Sequence, residues 1–334
     1  MTNDHQQMRI FITGATGLLG RHIVASLTNS GAQIVATYQT KNKEKRKKVP
    51  GFETIEWVDC DVLDVLGLQK FMAGCTHVIH AAAMVSFDPG DRSRLHTINV
   101  EGTANVVNCA LQTPGIKKFV HISSVASMSP SKPQPTEIDE RQGFNPDSST
   151  SDYARSKYLA EIEVARGVEE GLSAAMVNPS VILAPGGASE SSASLLDYAR
   201  KSIPFYPEGW LNYVDVRDVA RVVVWLLHNG PVAGEKMVLS AGYLPYQAFL
   251  TAAATAFGAR PPYIKAGFLL SALGWRCNSI FSFLTGKKPF LTRYTAKSAS
   301  NKLIYKSVQL PIVWPDFRFH TLSQSLDWIH SNRI

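Results

Sequence analysis

The chain has little cysteine, and this excludes two ways of building a fold. Its four cysteines, Cys60, Cys75, Cys109 and Cys277, are scattered among 334 residues, and no C-x-x-C pair occurs. A zinc site or a disulfide framework needs thiols at recognisable spacings. We therefore expect no metal site, and we expect the four side chains to be buried as small apolar residues.

Long uncharged apolar runs are also lacking. The longest apolar stretch, 266–284, carries Arg276 and Asn278 near its centre, which argues against a bilayer span. Two interpretations of this stretch remain: a lid helix, or a segment that lies on a membrane surface. Residues Met1 to Gln7 are polar and hold no apolar signal-peptide core, so the cytoplasm is the simplest location.

Basic charge is not spread along the chain. The net charge is +7, but the loop from Lys41 to Lys48 holds six basic residues and one acid, Glu44, and alone contributes +5. This concentration argues against a nucleic-acid-binding face. The loop is therefore either solvated or bound to an anion.

What the chain does have is a regular alternation of short apolar runs and helical segments. The predicted strands are 9–13, 33–38, 54–58, 78–81, 118–122 and 174–177, and the predicted helices are 17–28, 66–72, 97–111, 153–169 and 321–330. Such a βαβ rhythm predicts an α/β fold with a doubly wound parallel sheet of the Rossmann type. The rhythm breaks after Pro179. We expect a dinucleotide-binding domain over 1–178 and a smaller, mostly helical substrate lobe over 179–334, with part of 213–240 returning to the main domain.

A glycine-rich turn between the first strand and the first helix predicts a cofactor site. The turn comprises Gly14, Thr16, Gly17, Leu18, Leu19 and Gly20. Glycines here let the backbone approach a pyrophosphate, and the free N–H groups of the helix N-terminus favour an anion. The position of the turn, after a strand and at the start of a βαβ series, is the one that dinucleotide binding requires.

Three further residues predict catalysis. Ser124 follows the fifth strand, and Tyr153 and Lys157 form a Tyr-x-x-x-Lys pair in the next helix. A free phenol titrates near pH 10 and is a poor acid at neutral pH, but a cation one helical turn away shares its face and lowers its pKa. We therefore predict a proton-transfer site made of these three side chains.

In these motifs the chain resembles the extended short-chain dehydrogenase/reductase superfamily over nearly its whole length. The resemblance includes Asp61-Val62, His80-Ala81-Ala82-Ala83, Asn99-Val100-Glu101-Gly102-Thr103 and Asn178-Pro179-Ser180. It implies that Tyr153 is the general acid or base, that Lys157 binds the nicotinamide ribose and stabilises a tyrosinate, and that Ser124 positions the substrate oxygen. It also implies that Asp61 and Val62 bind adenine, that Ala81, Ala82 and Ala83 line the cofactor, and that Pro179 and Ser180 flank the nicotinamide through backbone groups. Asn99 is expected to be structural, and a homodimer is expected through the helices 97–111 and 153–169.

The end of the second strand favours NADP over NAD. Enzymes that use NAD usually carry an acidic residue there to bind the ribose 2′-hydroxyl. Here the strand ends at Tyr38 and is followed by Gln39 and Lys41, with no acid. Lys41 and Lys43 can attract a 2′-phosphate, although Gln39 stands where related NADP enzymes often have arginine.

Two positions bear on the substrate. The sugar-nucleotide enzymes of the superfamily supply an asparagine and an arginine for a diphosphate where this chain has Val181 and Leu211. The chain is therefore more similar to the dihydroflavonol-reductase and 3β-hydroxysteroid-dehydrogenase-like branch, which implies a small, mainly apolar carbonyl or secondary alcohol. The candidate pocket residues are Met84, Phe87, Met128, Tyr206 and Trp210, and Arg200, Lys201, Arg217 and Arg276 are alternative sources of a clamp. A nucleotide-sugar epimerase or dehydratase, and a redox sensor that binds NADP without turnover, are the alternatives.

Overall fold

The computed structural model describes residues 8–28, 30–128, 136–144, 151–186, 193–229, 234–267 and 293–332. Within these ranges the centre of the fold is a seven-stranded sheet whose strands all run parallel. Its strands are β1 (Arg9–Thr13), β2 (Gln33–Tyr38), β3 (Glu56–Asp59), β4 (His77–His80), β5 (Lys118–Ile122), β7 (Ala174–Pro179) and β11 (Lys236–Leu239). The order across the sheet is β11-β7-β5-β4-β1-β2-β3. The predicted Rossmann-type α/β fold is confirmed.

Helices cover both faces of this sheet, which explains why its central strands are apolar without alternation. The helices are α1 (Leu18–Leu27), α2 (Lys43–Arg46), α3 (Val65–Met72), α4 (Arg92–His96), α5 (Gly102–Gln112), α6 (Asp152–Glu169), α7 (Ala193–Arg200), α8 (Val216–Asn229), α9 (Tyr246–Ala256), α10 (Arg293–Ser298), α11 (Gln309–Val313) and α12 (Leu322–Ser331). Helices α1 and α8 pack on one face, and α3, α5 and α6 pack on the other. Strand β5, for example, is buried along its whole length.

A smaller unit is built from later residues. Strands β8 (Val181–Leu183), β10 (Trp210–Asp215) and β12 (Gly242–Pro245) form a three-stranded sheet, and helices α7, α9 and α12 share its apolar core. Two short pairs join β9 (Phe205–Pro207) to β13 (Ile264–Ala266) and β6 (Thr136–Ile138) to β14 (Leu303–Tyr305). Helix α8 and strand β11 belong to the main sheet layer, although strands β8 and β10 of the small sheet lie between them and β7 in the chain.

Some predicted boundaries moved. The third strand begins at Glu56 rather than at residue 54, because Phe52–Thr54 forms a 3₁₀ turn in which the Thr54 N–H donates to the Gly51 carbonyl at 2.9 Å. The helix predicted over 97–111 begins with a π-helical turn, Thr97–Glu101, before α5. The last helix starts after Thr321, whose side chain and that of Gln324 form a capping box.

Candidate active site

The glycine turn lies at the carboxyl end of β1, where two of its glycines allow contacts that no side chain would permit. Gly14 has φ = 72°, and a Cβ there would lie 2.5 Å from the Ala82 nitrogen. A Cβ on Gly20 would lie 2.1 Å from the Gly14 carbonyl oxygen. The start of α1 can therefore approach the ends of β1 and β4 closely.

The N-terminus of α1 suits an anion. Its N-cap residue, Gly17, is exposed and extended, and among the described residues no side chain caps the helix start. The first turn contains no acid. Leu19 packs in the core, so its backbone rather than its side chain faces the turn, while Thr16 and Leu18 are half-buried. The first backbone N–H groups of a helix have no partner within the helix, so those at the start of α1 fit the diphosphate of a dinucleotide.

The predicted adenosine contacts follow β2 and β3, at the same edge of the sheet. The Gln39 side-chain amide donates to Asp61 Oδ2 at 2.5 Å, and the Leu63 N–H donates to Asp61 Oδ1 at 3.0 Å. Val62 is buried against Gly102, where a Cβ would lie 2.6 Å from a Val62 methyl group. Gln39 and Asp61 thus brace one another beside the end of β2.

The basic loop is folded against this end of the sheet. The Arg46 guanidinium lies over the Tyr38 ring, 4.5 Å from its centroid, and Arg46 Nε is buried with no hydrogen-bond partner among the described residues. Lys41 is exposed in a short turn just before α2. Arg46 belongs to the basic loop noted in the sequence, but its place on Tyr38 had no signal in the spacing of the charges.

The segment Ala81–Ala83 follows β4 and is held by hydrogen bonds. The Ala81 N–H donates to the Thr13 carbonyl at 3.2 Å, and the Ala82 N–H donates to the Thr13 hydroxyl at 3.3 Å. Ala81 and Ala82 are half-buried and Ala83 is exposed. The Asn99 side chain, from the π-helical turn, binds both backbone groups of Met84 at 2.7 and 2.9 Å. Asn99 therefore shapes this segment.

Tyr153 and Ser124 lie together at the carboxyl edge of the sheet. Tyr153 is 9% exposed in the first turn of α6, whose N-cap Ser151 accepts from the Ala154 N–H. Burial raises the pKa of Tyr153, and the hydrogen bond with the Ser124 side chain opposes that rise. The structure therefore brings the predicted hydroxyl pair together.

Lys157 lies one turn further along α6, where its ammonium group donates to the Ile122 carbonyl at 2.7 Å, and burial lowers the pKa of Lys157 to about 8. Lys157 is not among the groups that shift the pKa of Tyr153 in this structure. That Lys157 lowers the pKa of Tyr153 therefore stays a prediction. Desolvation of the phenolate outweighs the stabilising contacts, so the pKa of Tyr153 rises.

Pro179 and Ser180 close the same edge at the end of β7. The Ser180 N–H donates to the Leu239 carbonyl at 2.9 Å and is thereby used within the sheet. The Ser180 hydroxyl is buried, and it has no hydrogen-bond partner in the part of the chain that the structure describes. A carboxamide such as that of nicotinamide would fit such a hydroxyl.

One aromatic pair faces Tyr153. The Phe87 ring meets the Tyr153 ring edge-on at 5.6 Å between centroids and stacks on the Tyr294 ring at 5.6 Å. Tyr294, from α10, had no signal in the sequence. The other proposed wall residues lie elsewhere or show no such contact: Met128 packs with Ile138 and Val238, Tyr206 joins the core of the small unit, Trp210 stacks on Tyr243, and Met84 is half-buried.

The arginines considered as diphosphate clamps have other partners. Arg200 lies 4.3 Å from the Phe257 ring centroid and pairs with Asp197 at 3.0 Å. Arg217 pairs with Asp215 at 2.6 Å and lies 4.2 Å from the Trp328 ring centroid. Leu211 is buried in β10, Val181 is half-buried in β8 and Lys201 is exposed, whereas Arg276 lies outside the described residues.

Comparison with known sequences identifies the family of this chain. The NAD-dependent epimerase/dehydratase family matches residues 10–240. The chain belongs to this family. It is 31% identical over 309 residues to a Synechocystis sp. protein provisionally named dihydroflavonol 4-reductase, covering 90% of this chain and 88% of the other. It is 30% identical over 244 residues to cinnamoyl-CoA reductase 1 of Oryza sativa subsp. japonica, covering 69% and 70%. The predicted membership of the extended short-chain dehydrogenase/reductase superfamily is confirmed.

A solved structure supports the same fold. Yeast methylglyoxal/isovaleraldehyde reductase Gre2, solved with NADPH, matches with a TM-score of 0.75 at 18% identity, covering 97% of each chain. As a member of the epimerase/dehydratase family with reductase relatives, the chain is an NAD(P)-dependent oxidoreductase of the extended type. Its cofactor is a nicotinamide dinucleotide.

Two other expectations concern features outside the site. Cys60, Cys75 and Cys109 are buried and free, as expected, and Cys277 lies outside the described residues. No helix within the described ranges has both the length and the apolar character to cross a bilayer. Most of the apolar stretch 266–284 falls outside those ranges, as do the residues preceding Met8.

One further site residue, outside the predicted motifs, has a signal in the sequence. Glu161 lies four residues after Lys157 on α6 and continues the Tyr153–Lys157 spacing. It is 1% exposed and lies beneath the Ser124 turn. A charged residue that extends the spacing of a catalytic pair along one helix face is the pattern that would have identified it.

Proposed function

We propose that the protein reduces the carbonyl group of a small, mainly apolar molecule with NADPH. The observation that carries this proposal is the hydroxyl pair of half-buried Ser124 and buried Tyr153, with an aromatic wall, Phe87 and Tyr294, directly beside it. When bound at the glycine turn and the Ala81–Ala83 segment, the nicotinamide cofactor would supply the hydride for the carbonyl carbon. Tyr153 gives its phenolic proton to the carbonyl oxygen, and Ser124 donates a hydrogen bond to the same oxygen and holds it in line.

Lys157 supports this proton transfer through its charge. The pKa of Tyr153 is raised in the described state, so the phenol holds its proton at neutral pH but is a weaker acid than a free phenol until its phenolate is stabilised. Loss of its proton leaves a phenolate in a buried site. We infer that the Lys157 ammonium leaves the Ile122 carbonyl to stabilise that phenolate and to bind the ribose.

The substrate class follows from what surrounds the reacting hydroxyls. An aromatic wall favours a flat apolar substrate, and the engaged side chains of Arg200 and Arg217 leave a buried diphosphate without these two counter-charges. The names of the two relatives, a provisional dihydroflavonol 4-reductase and a cinnamoyl-CoA reductase, are consistent with aromatic carbonyl substrates.

The cofactor preference rests on the end of β2. Gln39 is uncharged and braced by Asp61, while the Arg46 guanidinium lies over the neighbouring Tyr38 ring and its Nε has no hydrogen-bond partner within the described ranges. Arg46 and the exposed Lys41 offer positive charge where a 2′-phosphate would be bound. We therefore propose NADP over NAD, and we keep a homodimer and the two-domain division at residue 178 as predictions.

The test is turnover and binding measured on the purified protein. We expect NADPH oxidation with aromatic aldehydes, ketones or thioesters, and no calorimetric binding of UDP-glucose, UDP-galactose or GDP-mannose in the presence of NADP. Replacing Tyr294 by Leu should raise KM for an aromatic carbonyl about tenfold by removing the stacked ring, whereas Tyr294→Phe, which keeps the ring, should not. Binding of a nucleotide sugar followed by C4 epimerisation would overturn the proposal in favour of an epimerase.

A further inference from the structure

A buried carboxylate, Glu161, collects four hydrogen-bond donors beneath the catalytic turn. Its Oε1 accepts from the Ser123 hydroxyl, the Ser127 hydroxyl and the Asn178 amide, each at 2.5 Å. Its Oε2 accepts from the Lys236 ammonium at 2.6 Å. Burying a carboxylate that is 1% exposed is costly without such partners. These contacts join α6, the end of β5, the following 3₁₀ turn, β7 and β11.

The donors bracket Ser124. Ser123 precedes it, and Ser127 closes the 3₁₀ turn Val125–Ser127 that follows it. The one proton of the Ser127 hydroxyl is shared between Glu161 Oε1 and the Ser124 carbonyl oxygen, 2.7 Å away, and the Asn178 amide lies 3.2 Å from that carbonyl oxygen. The Ser124 backbone is therefore fixed by groups that are themselves held by Glu161.

The same carboxylate acts on Lys157. The two residues are four apart on α6, and the Glu161 charge raises the pKa of Lys157 against the lowering by burial. The charged or titratable groups that face Lys157 from other elements are His80 on β4 and His121 on β5. Burial lowers the pKa of both histidines far below neutrality, so they are uncharged at pH 7. Glu161 is thus the anion that favours the ammonium form of Lys157.

We propose that Glu161 is a positioning residue: it locks the Ser124 turn to the helix that carries Tyr153 and Lys157, with Lys236 as its counter-charge. This inference rests on the proposed reductase function. It assigns roles to Glu161, Asn178 and Lys236 that none of the motifs predicted. Because reacting groups must be held to within a fraction of an ångström, a loosened Ser124 turn is expected to lower kcat about 10²-fold.

Four variants separate the positioning role from mere stability. Glu161→Gln leaves one amide oxygen for the three donors but turns its NH₂ group toward the Lys236 ammonium. Glu161→Gln with Lys236→Met removes that conflict and keeps the acceptor for Ser123, Ser127 and Asn178. Glu161→Leu with Lys236→Met removes the acceptor and the charge together. Glu163→Gln, on the same helix and paired with Arg166, makes the same chemical change away from the network.

The expected order of the kcat values depends only on whether residue 161 still has an oxygen that accepts hydrogen bonds from Ser123, Ser127 and Asn178. The control Glu163→Gln keeps the wild-type value, the Gln/Met double variant recovers to within about tenfold of it, and the Leu/Met double variant stays about 10²-fold lower. The dissociation constant of NADPH should change little in all four. In Glu161→Gln the alkaline limb of the kcat/KM profile should move to lower pH, because Lys157 loses the anion that favours its charged form.

Two results would overturn the inference. One is a Leu/Met double variant that turns over as fast as wild type. The other is equal kcat in the two double variants, with no shift of the alkaline limb in Glu161→Gln, which would mean a structural role only. If the wild-type protein reduces no carbonyl, the proposed function fails by itself. A crystal structure of the folded Leu/Met variant then tests the inference, which is upheld if the Ser124 turn is displaced and refuted if it is unchanged.

Discussion

At the catalytic end of the candidate site, Tyr153 and Lys157 are 9% and 2% exposed, whereas at the other end Lys41 is exposed and Arg46 lies half-buried at the end of the short helix α2. The charged groups at the two ends lie in different surroundings, in the protein interior at the catalytic end and close to solvent at the other. At the buried end a single charge changes the pKa of its neighbours, and a polar atom without a partner is costly. In the exposed end water and salt screen each charge, so selectivity comes from several weak contacts. The contrast predicts large, salt-insensitive effects at one end and small, salt-sensitive effects at the other.

The largest effect is expected from Tyr153→Phe, which removes only the hydroxyl at the buried end. General acid catalysis typically contributes about 10²- to 10⁴-fold, so kcat should fall by that factor. The dissociation constant of NADPH, measured by nicotinamide fluorescence, should stay nearly the same because the ring and its contact with Phe87 remain. Full activity in the Phe variant would remove Tyr153 from the mechanism.

The pH dependence of reduction should report Lys157. Burial lowers the pKa of Lys157 to about 8, so its ammonium charge is present below that pH and is lost above it. We expect kcat/KM for carbonyl reduction to fall as the pH rises through about 8. Lys157→Arg keeps its charge at all these pH values, so its profile should lack this limb although its plateau is lower. A limb that stays at the same pH in the Arg variant would assign it to another group.

The smallest effect is expected from Arg46→Gln, at the exposed end. Losing one partly exposed charge contact costs about 1 kcal/mol, which is roughly a fivefold weaker binding of NADPH. NADH binding should not change, and Lys48→Gln, the same charge change elsewhere on the loop, should have little effect on either cofactor. Titrations at low and high salt check the screening, since the preference for NADPH should shrink with added salt. An unchanged NADPH preference in Arg46→Gln would show that the 2′-phosphate, if selected at all, is bound by other groups.

The sequence predicted the local backbone features of the site but not the electrostatics of its buried end. Strands such as β1, β2 and β5 were predicted to the residue because each has a short apolar run at its centre with polar residues at or near its ends. The backbone motifs of the cofactor site were likewise visible, because they depend on local turns. The pKa of Tyr153 could not be predicted from the sequence. The spacing along α6 shows that Lys157 shares a helix face with Tyr153, but it does not show that the Ile122 carbonyl holds the Lys157 ammonium group.

Contacts between distant elements were the other limit. Tyr294 meets Phe87 from a helix late in the chain, and Arg46 reaches Tyr38 by folding its loop back on the sheet. Glu161 gathers donors from four other elements. Such groupings depend on the register of the sheet and on the packing of helices, which a single sequence does not encode in any fixed spacing.

The late position of β11 in the chain affects how the protein folds during its synthesis on the ribosome. This strand pairs with β7, with Lys236 opposite Met176, although the chain makes most of the small sheet between them. Until Lys236 has been synthesised, β7 is an open sheet edge and the Glu161 carboxylate lacks its counter-charge. The dinucleotide-binding half therefore cannot reach its final state as an isolated first product of translation. Its last strand arrives late, and the order of synthesis ties completion of the cofactor-binding sheet to emergence of the small unit.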